Sequence, residues 1–514
     1  MDNPSTRINP LEVCSSKVDQ TSSSVGSGLG GSVEFKREQP GDAPTWRALS
    51  SGEMAGAAAY DLALAFDFGG YRSTARFAQG EPFENGHGKN FSDLYAYEEN
   101  HAYNLWEVGV YGLRGDWGQG LNFSRSKDVL FPYLKMDERQ TDFIGLHGSW
   151  RGHRLYYNHT RHLMDNELRG GPTLMVSDAY NTTFGLSAKG YEIYYRNWDT
   201  QNYFDNPNFH IDNHLIPDLH QVSLSADRQF KPGENMEAGI RLGLQYLKMG
   251  DVDRLDFNNA LHVDGLDARF FIPLGAHFNL KQLLADDLLA GLQIELATEP
   301  PHPRDLYISV KKPGSMPWWS GNPKLEAPVR ATLRGRLRGG PITFEAYGGR
   351  VWEYSNLASM KVGEQKYLSF ESVNAALAGF RLVAEWAHID IHADYTLGWN
   401  LSEDSPLAEI RPFSLETTLR APEYRGVKTW LRHIYSDAQT RVDESLGETV
   451  TPAWNRFDLG IGRAFESMSL SLEVRNLSSE LYYEHLAYLR DPFASGDGVS
   501  APGRTLRLAF SYGR

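Results

Sequence analysis

Met468-Ser469-Leu470-Ser471-Leu472-Glu473-Val474-Arg475 puts an apolar residue at every second position and a polar or charged one between. Side chains of a strand point alternately to its two faces, so this segment has one oily face and one wet face. The same period runs through Tyr60, Leu62, Leu64, Phe66 and Phe68, with Asp61, Ala63, Ala65 and Asp67 between them. It returns in Ile389, Ile391, Ala393, Tyr395, Leu397 and Trp399, which alternate with Asp390, His392, Asp394, Thr396 and Gly398. Leu506, Leu508, Phe510 and Tyr512 alternate with Arg507, Ala509 and Ser511. The chain reads as all-β.

The wet faces choose the architecture. Several runs approach the roughly 9–11 residues that cross a bilayer at a tilt. Their second faces are heavily charged: Arg330, Arg334, Arg336 and Arg338 flank Val329, Leu333 and Leu337. Such faces suit a water-filled lumen with the apolar face on lipid, and these arginines are expected to pair with carboxylates on neighbouring strands or to steer anions. Aromatic pairs at Tyr156-Tyr157, Tyr194-Tyr195, Trp318-Trp319 and Tyr482-Tyr483 read as an interfacial girdle. Turn signals at Arg151-Gly152, Lys231 to Asn235, Arg338 to Pro341 and Ala421-Pro422 alternate with long polar loops at Asn197 to Leu219 and Lys311 to Pro328. From Thr45 onward the chain accommodates a transmembrane antiparallel β-barrel of about 22 strands, at roughly 21 residues per strand and loop.

Composition narrows the function. Lys and Arg number 51 against 65 Asp and Glu, a net charge of −14, so nucleic-acid phosphates are excluded as a partner. One Cys excludes an internal disulfide. No apolar run approaches ~18 residues, which leaves the closed barrel as the membrane-spanning form. No catalytic constellation stands out, and an enzyme is not expected. Gly26, Gly28 and Gly31 spell G-x-G-x-x-G without the strand and helix that the dinucleotide motif needs. A soluble propeller would require repeats of about 40–50 residues, and none is found.

The end of the chain closely resembles the last two strands of TonB-dependent outer-membrane receptors: Val474-Arg475-Asn476-Leu477, Tyr482-Tyr483-Glu484-His485-Leu486, Arg490-Asp491-Pro492-Phe493 and Pro502-Gly503-Arg504-Thr505. Pro300 to Tyr307 and Gly321 to Leu325 are similar to barrel segments of that family. Ser24 to Val33 is similar to the final turn and strand of its plug domain, although Ser22 to Gly31 also reads as a flexible linker before a short strand at Ser32 to Lys36. The resemblance implies residues 1–45 as the C-terminal remnant of a plug and 46–514 as a Gram-negative outer-membrane barrel. It implies import of a scarce ligand (a metal ion, a metal chelate or cobalamin), with outer-membrane lipid and the TonB energy-transducing complex as partners and no tightly bound cofactor. Met1-Asp2-Asn3-Pro4 carries no signal-peptide pattern, so the expectation is a chain truncated at its N-terminus. The alternative readings are a passive porin-like channel and a non-functional plug-truncated fragment.

Met1 to Thr6 resembles a plug motif of outer-membrane copper receptors, and His162-Leu163-Met164 matches the barrel-side His-x-Met pair of those receptors. The resemblance makes Met1, His162 and Met164 candidate copper ligands, where an iron chelate is the competing cargo. Thioether and imidazole suit a soft cuprous ion, and residues two apart share one face of a strand. Beside this stands the plain reading of an initiator methionine and an ordinary strand end. Cys14 reads as a small buried residue in a strand. His210 and His214 with Asp212 read as a solvated loop or a metal site, and Asp251, Asp253, Asp256 and Asn258 as a loop lacking the Gly and Glu of a calcium hand.

Overall fold

The computed structural model describes residues 11, 13–19, 32–37, 40–98, 101–250, 266–312, 316–486 and 490–513, with the backbone alone at 13–19 and 32–37. Among these residues, 22 antiparallel strands form a closed barrel. Closure is made by the last strand, Thr505–Gly513, on the first, Thr45–Met54, with Leu506 opposite Met54 and Gly513 opposite Arg47. A closed sheet leaves no row of unpaired backbone groups, the condition for standing in hydrocarbon.

Which way the strands face follows from exposure. Leu242, Ile294, Leu333, Leu472 and Leu508 are each 40–55% exposed, and they lie on strand after strand around the wall. A soluble protein rarely leaves so large a contiguous apolar surface open, so this is the lipid-facing belt. The alternate residues point into the lumen and pair there: Arg330 with Glu295 at 2.9 Å, Arg334 with Glu345 at 2.6 Å, Arg76 with Asp61 at 2.7 Å. Two of the four arginines of the row, Arg330 and Arg334, thus find carboxylates on neighbouring strands.

One rim is built of short turns. Arg151 and Gly152 both have positive φ, +48° and +81°, the two-residue turn whose twist matches the flanking strands Asp137–Trp150 and His153–Asp165. The other rim carries long connections, at 81–102, 299–328 and 476–504. The buried apolar core sits at this long-loop end. There Met164, Phe204, Leu219 and Met249 from the strand tops meet Leu306 and Tyr307 of a short helix, Pro303–Tyr307, and Phe493 of the last loop.

Three expectations are corrected. Tyr482-Tyr483 is not a girdle pair: it lies in the 476–504 connection, where Tyr482 is buried against Trp454. Trp318-Trp319 is not a girdle pair: Trp318–Ser320 is a short strand inside the 299–328 connection, pairing parallel to Gln365–Glu385, and Trp319 is buried. Asn197 to Leu219 is not one polar loop, since the strand Tyr191–Asn206 runs on and Phe209–Asn213 folds back against it. The last of these has a plain cause. Above the lipid a strand needs no oily face, so the alternation ends where the bilayer ends while the strand continues.

The backbone of Val13–Asp19 pairs antiparallel with Ser32–Arg37, which matches the strand expected at Ser32 to Lys36. The whole of Ser22 to Gly31, Met1 and the group Asp251, Asp253, Asp256 and Asn258 lie outside the described residues.

Candidate functional site

His162 and Met164 stand at the upper, long-loop end of the strand His153–Asp165. Leu155 on this strand is an exposed lipid-facing residue, so the even-numbered residues face inward, and His162 and Met164 share the lumenal side. The imidazole is held from behind. Nδ1 lies 2.6 Å from Thr141 Oγ1 and 3.5 Å from a carboxylate oxygen of Glu138, itself nearly buried and hydrogen-bonded by Ser126. These two contacts fix the orientation of the ring. Met164 is 8% exposed and joins an apolar cluster with Met136 and Met249, against which Met175 also packs. Three of these four methionines are thus nearly or fully buried at one end of the lumen.

A buried polar knot ties three loops beside this pair. Asp137, fully buried, accepts from Arg169 at 2.7 and 2.8 Å, from the Tyr97 hydroxyl at 2.6 Å and from the Phe131 amide at 2.7 Å. Burial works against the Arg169 cation, but Asp137 outweighs it and raises its pKa. Burial together with the Asp137 charge pushes the Tyr97 phenol far above its ordinary value. Neither proton is released at physiological pH, so the knot is a fixed charge pair.

The connection 476–504 crosses the mouth like a strap. Phe493 O accepts from Lys135 N, Arg304 lies 3.6 Å from Asp491, and the Ser500 amide donates to Tyr95. Its innermost tether is His485, whose Nε2 is 3.1 Å from Glu448 and whose Nδ1 is 2.8 Å from Thr451 Oγ1, with both side chains of the ion pair almost fully buried. Burial would raise the Glu448 pKa, but His485 and the amides of Asp443 and Glu409 outweigh it and hold it below the ordinary 4.5. A depressed carboxylate contributes stability that is complete above its unfolded value and is lost as pH falls through the folded one. Proteolysis of 476–504 is therefore expected to rise as the pH falls below about 4. A Glu448→Gln variant that kept the same acid limb would refute the tether as its source.

The other histidines separate. His210 is exposed, 3.3 Å from Asp205 and 3.1 Å from Asp212, whereas His214 is buried with Nδ1 3.0 Å from the Thr200 carbonyl oxygen. They do not converge on one ion, and among the described residues no group of three His, Cys, Asp or Glu does. The backbone of Cys14 is in a strand, as read. His302, absent from the sequence reading, caps the helix Pro303–Tyr307 by accepting from the Arg304 amide at 3.2 Å. Its ring is open to lumenal water yet crowded by protein, and this crowding with Arg304 and Arg196 pushes its pKa down to about 4.

No protein-family model and no curated protein matches the chain. Solved structures do. The copper transporter OprC superimposes with a TM-score of 0.76 at 17% identity, over 100% of this chain and 88% of that one. The ferric yersiniabactin uptake receptor FyuA from Yersinia pestis gives 0.68 at 12% identity, over 98% and 85%. The FrpB iron transporter from Neisseria meningitidis gives 0.66 at 11% identity, over 99% and 89%. At these identities the likeness is one of architecture: the chain shares the closed antiparallel barrel fold of these transporters and receptors.

Proposed function

We propose that this barrel serves a TonB-dependent uptake receptor, with residues 1–45 as the tail of its plug, and that its cargo is copper as the cuprous ion. The observation that carries the cargo is the placement of His162 and Met164 together on the lumenal wall, with Nδ1 of the imidazole held and other methionines packed alongside. Soft thioether and imidazole donors favour a cuprous ion over hard, oxygen-seeking cations. The similarity in fold to a copper transporter supports the same reading. Met1 is proposed as a third ligand from the plug side. The mouth favours a receptor over a passive channel, because the 299–328 connection and the 476–504 strap pack into it.

The test is a cuprous-ion competition titration on detergent-solubilised protein. Met164→Leu and His162→Ala are each expected to weaken affinity about tenfold or more, equivalent to about 1.4 kcal/mol, while Met236→Leu, exposed at the short-turn end of its strand and outside the cluster, leaves it unchanged. Affinity unaltered in both variants removes these residues from the site. Tight binding of a ferric chelate with no cuprous binding would assign the cargo to the iron class instead.

A further inference from the structure

On the outer wall, near the short-turn rim, the belt is interrupted by a groove of about 490 Å³. Leu121, Leu146, Leu155 and Phe184 wall it, all exposed and all on outward positions of adjacent strands. Its floor is low because Gly112 and Gly148 stand where neighbouring strands carry large side chains. A Cβ added at Gly148 meets nothing within 4 Å, so the recess is open, whereas one at Gly112 would strike the Tyr71 ring lying across it. Tyr71 is fixed there by Gln119, 3.1 Å from its hydroxyl.

The groove has a polar end and an oily end. At the rim Trp117 and Trp150 pair across two strands, 5.7 Å between centroids, at the depth where indoles favour a membrane interface. Arg151 sits 5.0 Å over the Trp150 ring and 3.4 Å from Asp116. Arg114, directly opposite Trp117 in register, falls on an outward position and is exposed. From this rim the walls climb four residues to Leu121 and Leu146, roughly 13 Å along the strands. At a strand tilt of about 45° that is roughly 9 Å of depth, within a single leaflet of a ~30 Å hydrocarbon core.

We propose that this groove holds an acyl chain of one glycerophospholipid from the periplasmic leaflet, with its phosphate at Arg114 and Arg151. Two guanidiniums at interfacial depth match an anionic phosphate, which accepts their paired donors well. The recess, running from them between the apolar side chains of Leu121, Leu146, Leu155 and Phe184, matches a chain rather than a second barrel, whose own wall is convex. The proposal stands apart from the copper reading and survives its failure.

The experiment is phospholipid quantification, by extraction and mass spectrometry, on protein purified from outer membranes in a mild detergent. About one phospholipid per barrel is expected for the unaltered chain. Gly148→Leu, which fills the recess, is expected to bring it to the detergent background, and Arg114→Gln with Arg151→Gln to lower it severalfold. Gly335→Leu is the control: Gly335 is also outward, between Leu333 and Leu337, and an added Cβ there meets nothing within 4 Å. Heat-dependent gel mobility checks that each variant is a folded barrel. Equal retention by Gly148→Leu, loss in Gly335→Leu as well, retention of lipopolysaccharide in place of phospholipid, or a lipid-free dimer that Gly148→Leu dissociates would each overturn it. Undiminished retention in the double arginine variant would overturn the phosphate assignment.

Discussion

Asp137→Ala is expected to cost about 3–5 kcal/mol of local stability at the mouth, because it leaves a buried cation without its counter-charge. Arg169 has only 14% of its side chain exposed and donates twice to Asp137. With the carboxylate gone, the guanidinium must pull out to water or remain uncompensated, and the Tyr97 hydroxyl and Phe131 amide lose their acceptor at the same moment. Three connections meet at this one residue: 81–102 through Tyr97, 130–136 through Phe131, and 166–173 through Arg169. The aromatic cluster of Phe91, Tyr95 and Tyr97 depends on the same anchor. Hydrogen exchange should therefore quicken by more than a hundredfold in all three, since each factor of ten is about 1.4 kcal/mol. The wall strands Leu219–Gly233 and Met236–Met249 should keep their protection. Asp137→Asn, which retains an acceptor oxygen without the charge, should fall between. A change below tenfold in Asp137→Ala would mean that the charge pair contributes little beyond its geometry.

That knot could not have been read from the chain. Tyr97, Phe131 and Arg169 come from three loops and Asp137 from the start of a strand, and nothing in their local sequence announces the others. The barrel was legible for the opposite reason. Lipid imposes its demand at every second residue of every strand, so Leu470 and Leu472 report the bilayer without knowledge of any partner. The arginine row at 330, 334, 336 and 338 was legible as lumenal by the same parity, and the pairing of Arg330 with Glu295 and of Arg334 with Glu345 followed once the register was set. His162 and Met164 were legible as sharing a face, because two residues apart in a strand is a local rule. What holds the imidazole, Thr141 and Glu138, is set by the register of the adjacent strand and was not legible. The segment Lys311 to Pro328 misled more deeply. Trp319, Ser320 and Leu325 within it are buried. A stretch flanked by prolines and charges reads as a solvated loop unless its docking site, the ring of strand tops, is already in view. His485 illustrates the same limit, since its partner Glu448 lies on a different loop.

Leu472 and Ser471 allow the outward-lipid, inward-water arrangement to be tested with two neighbouring residues of one strand. Leu472 is 40% exposed and sits among Ile461 and Leu508 on the flanking strands, about midway up the belt. Leu472→Arg places a guanidinium against acyl chains and is expected to destabilise the folded barrel by about 2–4 kcal/mol in lipid vesicles. Ser471 points the other way, opposite Gly462 and Ala509, into a lumen already carrying Glu473, Arg475 and Arg507. Ser471→Arg keeps its charge in water and is expected to cost less than ~1 kcal/mol. Reversible unfolding in denaturant, read by tryptophan fluorescence in the same vesicles, compares them directly. The difference in sign of exposure is what matters: equal costs would say that both faces see the same medium. The copper site, the strap and the phospholipid groove all presume two different media on the two sides of this wall, so this pair of substitutions tests the ground on which each of them stands.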